Sequence, residues 1–172
     1  MRFCCVTDCR SLALICNGQA PLSNPDLRPP FERMSKNLFN LLALGYRPSS
    51  DIAEPIVWHK REWNKRADHL VNCTMDCKDS WHQQLAPPIK FTFKEAQFTI
   101  HTDGGTRAGT CSAAAWLCEV RVVRENTIYE FPLMMAGTYL SVPVSAFKTE
   151  AMALDHALDK MAQIMAIGVG HE

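Results

Sequence analysis

The chain has 172 residues, is 47% hydrophobic and carries no formal net charge, with 18 Lys plus Arg against 18 Asp plus Glu. That length favours one domain, and that composition supports a sizeable core and excludes a wholly disordered chain. Zero net charge excludes a globally basic nucleic-acid binder, so any such footprint has to be local.

In chain order, Arg2 to Thr7 is an apolar run rich in strand formers and predicts a buried strand that Asp8 ends. Ser11 to Cys16 predicts a helix stopped by Asn17-Gly18. Residues 20–30 hold Pro21, Pro25, Pro29 and Pro30 and predict a loop. Phe31, Met34, Leu38, Leu41 and Leu42 fall at helical spacing over Phe31 to Leu44, with Gly45 as the stop. Pro48 to Pro55 reads as a connector, and Ile56-Val57-Trp58 begins a strand running into His59-Lys60-Arg61-Glu62. Asn64 is placed to cap a helix over Lys65 to Cys77. Asp79 to Lys90, with Pro87-Pro88, reads as a linker, and Phe91 to Phe93 as a short β-segment.

The second half is more regular. Phe98 to Thr102, Ser112 to Arg124 and Thr127 to Tyr139 predict three strands in a meander, with Glu125-Asn126 as the second turn. Ala146 to Ile167 predicts a long helix with Ala, Met and Leu on its core stripe.

No run of about 18 apolar residues is present, so no membrane span is expected. Asp8 comes too early for a signal-peptide core, and none of the eight cysteines forms a Cys-x-x-Cys pair. Reduced thiols and an intracellular location, cytoplasmic or nuclear, are therefore expected. Zinc on Cys4, Cys5 or Cys9 is the alternative use of the thiols.

Chemistry concentrates on carboxylates. Asp103 ends a strand in Ile100-His101-Thr102-Asp103-Gly104-Gly105, where glycines let another backbone approach. Glu150 lies in the first turns of the long helix, Asp8 ends the first strand, and Asp68 lies in the Lys65 to Cys77 helix. Taken singly, each has an ordinary structural use: helix-dipole charge for Glu150, N-cap for Asp8, solvated face for Asp68.

Together these motifs resemble the ribonuclease H family. The resembling residues are Thr102-Asp103-Gly104-Gly105, Thr149-Glu150-Ala151 with Ala153-Leu154, Thr7-Asp8-Cys9-Arg10-Ser11, and Arg61-Glu62-Trp63-Asn64 leading into Ala67-Asp68-His69-Leu70. The resemblance implies an α/β, ribonuclease H-like fold: a mixed five-stranded sheet, an antiparallel three-strand meander plus two parallel strands, flanked by helices. The order of the blocks departs from the family, because its last two blocks come first here. The expected organisation is thus a single circularly permuted domain, with 1–78 as the family's C-terminal half, 79–96 as a linker and 97–172 as the N-terminal half. A linker of that length reaches at most about 60 Å when extended, ample for a small domain. A fragment of a tandem array, or two chains exchanging halves, would unite the same residues, so monomer and domain-swapped dimer both stay open.

The resemblance further implies a metal-dependent endonuclease that hydrolyses the RNA strand of RNA–DNA hybrids, of a type that often accompanies reverse transcriptases in retroelements. By it, Asp103, Glu150, Asp8 and Asp68 are the catalytic set and ligate two Mg²⁺ ions, for which Mn²⁺ can substitute. Asp103 would be shared, Glu150 and Asp8 would serve one ion and Asp68 the other. His59 is the nearest candidate for a proton-transfer histidine. Substrate contacts are expected from Gly104, Gly105, Arg107, Arg10, Lys60, Arg61 and Asn64. Trp63 either packs on a sugar or base of the nucleic acid or sits in the core. The competing functional class is a non-catalytic remnant that binds nucleic acid or a protein partner.

Overall fold

The elements run β1 (Arg2–Thr7), α1 (Arg10–Cys16), α2 (Arg28–Ala43), β2 (Arg47–Pro48), β3 (Ile56–Trp58), α3 (Lys65–Cys77), β4 (Trp81–Gln84), β5 (Ala96–Arg107), β6 (Cys111–Arg124), β7 (Thr127–Leu140) and α4 (Ala146–Val169). The structure, a computed structural model, describes residues 2–48 and 54–169, with side chains up to Met165. The expected connector from Pro48 to Pro55 lies largely outside them.

The strands form one open mixed sheet in the order β2-β1-β5-β6-β7-β4, and β3 also pairs with β1. β5, β6 and β7 are the expected antiparallel meander, in register from Ala96↔Val122 to Arg107↔Cys111 and from Ser112↔Leu140 to Arg124↔Thr127. Glu125 and Asn126 make the β6–β7 turn with φ of 50° and 63°, the left-handed pair that a two-residue hairpin requires. β1 lies parallel to β5, from Arg2↔Gln97 to Val6↔His101, so the two halves of the chain share one sheet.

The sheet has seven strands, which corrects the expected five-stranded, ribonuclease H-like sheet. The two additions are short and carry no hydrophobic alternation. β2 adds Arg47 and Pro48 beside Arg2 and Phe3. β4 is Trp81-His82-Gln83-Gln84, inside the segment expected to be a linker, and it pairs antiparallel with β7. Its anchor is Trp81, whose Nε1 donates to Thr74 Oγ1 at 2.8 Å. Two further boundaries differ. α2 starts at Arg28, because Pro29 and Pro30 occupy a first turn that needs no proline N–H. Phe93–Glu95 is a 3₁₀ turn held by a Thr92/Glu95 capping box, where a β-segment was expected.

Both faces of the sheet are covered. α4 lies on β5 and β6 with α2 packed against it, and α3 lies across β5, β6 and β7. Gly104 and Gly105 show the two faces: a Cβ on Gly104 would meet α4 at Thr149, and one on Gly105 would meet α3 at Val71. The larger core joins Phe3, Phe98, Ile100, Leu154, Leu158 and Met161, among others. A smaller one sits under α3, formed by Val71, Met75, Cys111, Ala113 and Ala115. Among the described residues no helix is long and apolar enough to cross a membrane.

Candidate metal centre

The parallel pairing of β1 and β5 brings the end of β1 beside the middle of β5. Thr102 Oγ1 donates to the Val6 carbonyl at 3.0 Å, and Asn64 Nδ2 donates to the Thr102 carbonyl at 2.9 Å. Asp8 follows directly on β1, whereas Asp103 lies within β5, which runs on to Arg107 and so does not end at Asp103 as expected. Asp8 is steadied from outside by Trp58, whose Nε1 donates to its carbonyl at 3.1 Å. Glu150 comes from the opening turns of α4, which Gly104 allows to approach because it has no side chain. Asp103 Oδ1 accepts from the Gly104 N–H at 2.9 Å.

Carboxylate oxygens of Asp8, Asp103 and Glu150 all lie within 4.8 Å of one another. Asp103 and Glu150 are buried and Asp8 is half-buried. Burial, first of all, pushes the Asp103 carboxyl well above the ordinary carboxylate range, with the Asp8 and Asp68 charges adding to it. Burial and the neighbouring Asp103 push Glu150 up as well. Among the described residues no ion pair reaches any of the three. Glu150 is 8% exposed, and its Oε2 is buried without a hydrogen-bond partner. An orphaned carboxylate oxygen facing two other acids fits a bound cation, which would supply the missing charge and the missing contact. The all-oxygen donor set suits a hard divalent ion. Among the described residues this is the one such grouping, and Cys4, Cys5 and Cys9 take no part in it.

The three acids open into a cavity of about 590 Å³, and Asp68 of α3 lines it too. Asp68 stands outside the tight group and sits 3.6 Å from Arg61 Nη2. All four carboxylates singled out in the sequence therefore face one cavity of one chain. Gly104, Gly105, Arg61 and Arg107 also line it, and Arg107 pairs with Asp76 at 2.8 Å. Arg10 and Lys60 do not line the cavity; each follows or precedes a lining residue, Cys9 and Arg61, and lies over the ring of Trp58 or Trp63.

Two expected contributors are placed elsewhere. Asn64 does not present its side chain to a substrate: it is 1% exposed and spends its amide on the Thr102 carbonyl. Nor does that side chain cap α3, although Asn64 stands at the N-cap position. His59 lies outside the cavity lining and packs edge-on against Trp63, ring centroids 6.0 Å apart. Burial, with His101 nearby, lowers its pKa.

Cys9, read in the sequence only as a motif residue and a possible zinc ligand, lines the cavity beside Asp8. Beside the site, Glu119 accepts from both Arg66 and His101, with His101 Nε2 at 3.1 Å. Nothing in the spacing of those three residues announces that network. No protein-family model, curated protein or solved structure matches this chain.

Proposed function

We propose that this chain is a divalent-metal-dependent endonuclease that cuts the RNA strand of RNA–DNA hybrids, as the ribonuclease H motifs it resembles imply. One observation supports this above the rest. Asp8, Asp103 and Glu150 come from three separate elements, and their oxygens gather within 4.8 Å with no cationic side chain among them. Three ionised carboxylates crowded in a buried place repel one another, and a bound cation offsets that repulsion.

In this proposal Asp103, Glu150 and Asp8 hold one Mg²⁺, and Asp103 with Asp68 holds a second. Bound cations would supply an ionised water near neutral pH and stabilise charge on the leaving oxygen. The chain's own residues position the substrate. Arg61 and Arg107 flank the cavity as phosphate contacts, each now paired with an acid that a phosphate would displace. The Gly104-Gly105 rim leaves room for a sugar–phosphate backbone, where 2′-hydroxyl contacts distinguish RNA from DNA.

The test is a labelled RNA–DNA hybrid incubated with the protein and Mg²⁺, beside duplex DNA and single strands. The hybrid's RNA strand is expected to be cut, and Asp103→Asn is expected to abolish cutting. An intact hybrid, or an Asp103→Asn variant as active as wild type, would overturn the proposal and favour a binding-only remnant.

A further inference from the structure

Beside the metal centre, two tryptophans stand out from the surface. Trp58 is 42% exposed and Trp63 is 68% exposed, and neither belongs to a core cluster. Trp63 is thus not the core residue that was one alternative for it. Each ring carries a cation. The Arg10 guanidinium lies 5.9 Å from the centre of the Trp58 ring, and Lys60 Nζ lies 6.0 Å from that of Trp63. Trp58 is tied to the site through its bond to the Asp8 carbonyl. Trp63 belongs to the 3₁₀ turn Arg61–Trp63, whose first residue lines the cavity and faces Asp68. His59 braces the Trp63 ring at 82°.

The geometry points to a stacking platform for unpaired nucleotides, formed by Trp58 and Trp63 with Arg10 and Lys60, beside the acidic cavity. Exposed indoles cost free energy in water unless a flat partner covers them. Bases are such partners, and the neighbouring cations complement the phosphates of the same strand. A base inside a duplex has both faces covered by its neighbours, so the platform selects a splayed or single-stranded segment. Arg61 then leads that strand from the platform to the carboxylates. The inference rests on the nuclease proposal, which supplies the strand in the cavity. It refines the substrate to a hybrid with unpaired nucleotides at its edge: a tail, flap or junction rather than a blunt duplex.

The experiment compares a blunt RNA–DNA hybrid with the same hybrid carrying a short single-stranded oligouridylate tail. Binding is read by anisotropy and by quenching of indole emission, with Ca²⁺ in place of Mg²⁺. The tail is expected to tighten wild-type binding about tenfold. Trp63→Ala should lose that gain, and Trp63→Phe should keep most of it. Far-UV circular dichroism checks that both variants fold. Equal affinity of wild type for blunt and tailed hybrids overturns the platform, as does a folded Trp63→Ala that keeps the gain. Cleavage of blunt hybrid with no tail gain removes the platform and spares the nuclease. A tail gain with no Mg²⁺-dependent cleavage of any hybrid does the reverse.

Discussion

Gly104 presses against the peptide that leads into Glu150. A Cβ on Gly104 would stand 2.6 Å from Thr149 Oγ1, and closer still to the Thr149 carbonyl carbon and the Glu150 nitrogen. Those last two atoms are backbone and cannot swing aside. The glycine therefore sets how near Glu150 comes to Asp103.

Gly104→Ala is expected to push α4 away from β5 and to cost about 1–3 kcal/mol, the usual price of overpacking. The Mg²⁺-induced rise in Tm should shrink with it. Gly105→Ala is the control, because its Cβ would meet only side chains, Val71 at 2.8 Å and Met75 at 3.5 Å, and side chains can shift. Urea unfolding with and without Mg²⁺ measures both. A Gly104→Ala variant as stable as Gly105→Ala would contradict the role given to this contact.

The acids also make stability depend on pH and on metal. The folded Asp103 and Glu150 carboxyls titrate above their ordinary values of 3.8 and 4.5. A raised acid favours the folded state while it is protonated, and that advantage fades as pH rises from the unfolded value towards the folded one. The metal-free protein should lose the Asp103 part of this contribution between about pH 4 and 7, and the Glu150 part over a range that extends further into alkali. Mg²⁺ should restore it, so the Mg²⁺-induced shift in Tm should be larger at pH 8 than at pH 5. Scanning fluorimetry at the two values is the measurement.

Glu150→Gln removes an acid whose charged form the buried centre disfavours, and it keeps the shape. It should raise the metal-free Tm at pH 8, by about 2–4 °C for each kcal/mol relieved in a chain of this size. The same variant should lose the Mg²⁺ response and hybrid cleavage. A lower metal-free Tm at pH 8 would argue against repulsion among the metal-free acids.

Asn64→Ala should destabilise the protein by about 1–3 kcal/mol, because it leaves the buried Thr102 carbonyl without its donor. Were Asn64 a substrate contact instead, the variant would keep its stability and lose only hybrid affinity. Equilibrium unfolding beside a binding titration separates the two.

Glu119 predicts the opposite pH limb. Its bonds from His101, then Arg66, hold the folded carboxylate down at about 2, against an ordinary value of 4.5. A lowered acid contributes stability above the unfolded value and loses it as pH falls towards the folded one. Glu119→Gln should flatten the loss between about pH 4.5 and 2, read from urea midpoints across that range.

How much of this was legible depended on whether a segment's partner was the solvent or another segment. The β5–β7 meander and α4 announce themselves, because β6 from Cys111 and α4 from Ala146 each bury a side chain pattern long enough to show its period. β4 does not, since Trp81-His82-Gln83-Gln84 is strand only because β7 offers a free edge and Thr74 anchors the indole. Phe91 and Phe93 look like strand residues but are spent on ring contacts with Phe131 and Phe98. At the site, Asp8, Asp103, Glu150 and Asp68 could be picked out because motif and element type agreed for each. Asn64 was assigned to the substrate with the Arg61-Glu62-Trp63-Asn64 motif, and only the fold reveals that a neighbouring strand takes its amide. Trp63 was undecidable, as an indole beside charges suits a surface and a core equally.

The parallel β1–β5 ladder has a consequence for how the protein comes into being. Asp8 leaves the ribosome before β5 and then α4 are translated. At about 5–20 residues per second, β1 waits seconds without the strand that flanks it. A pairing between such distant segments is slow to form and exposes an unmatched strand meanwhile. The acids cannot assemble until Glu150 has been made, so a ribosome stalled anywhere before α4 carries a chain with no complete cation site.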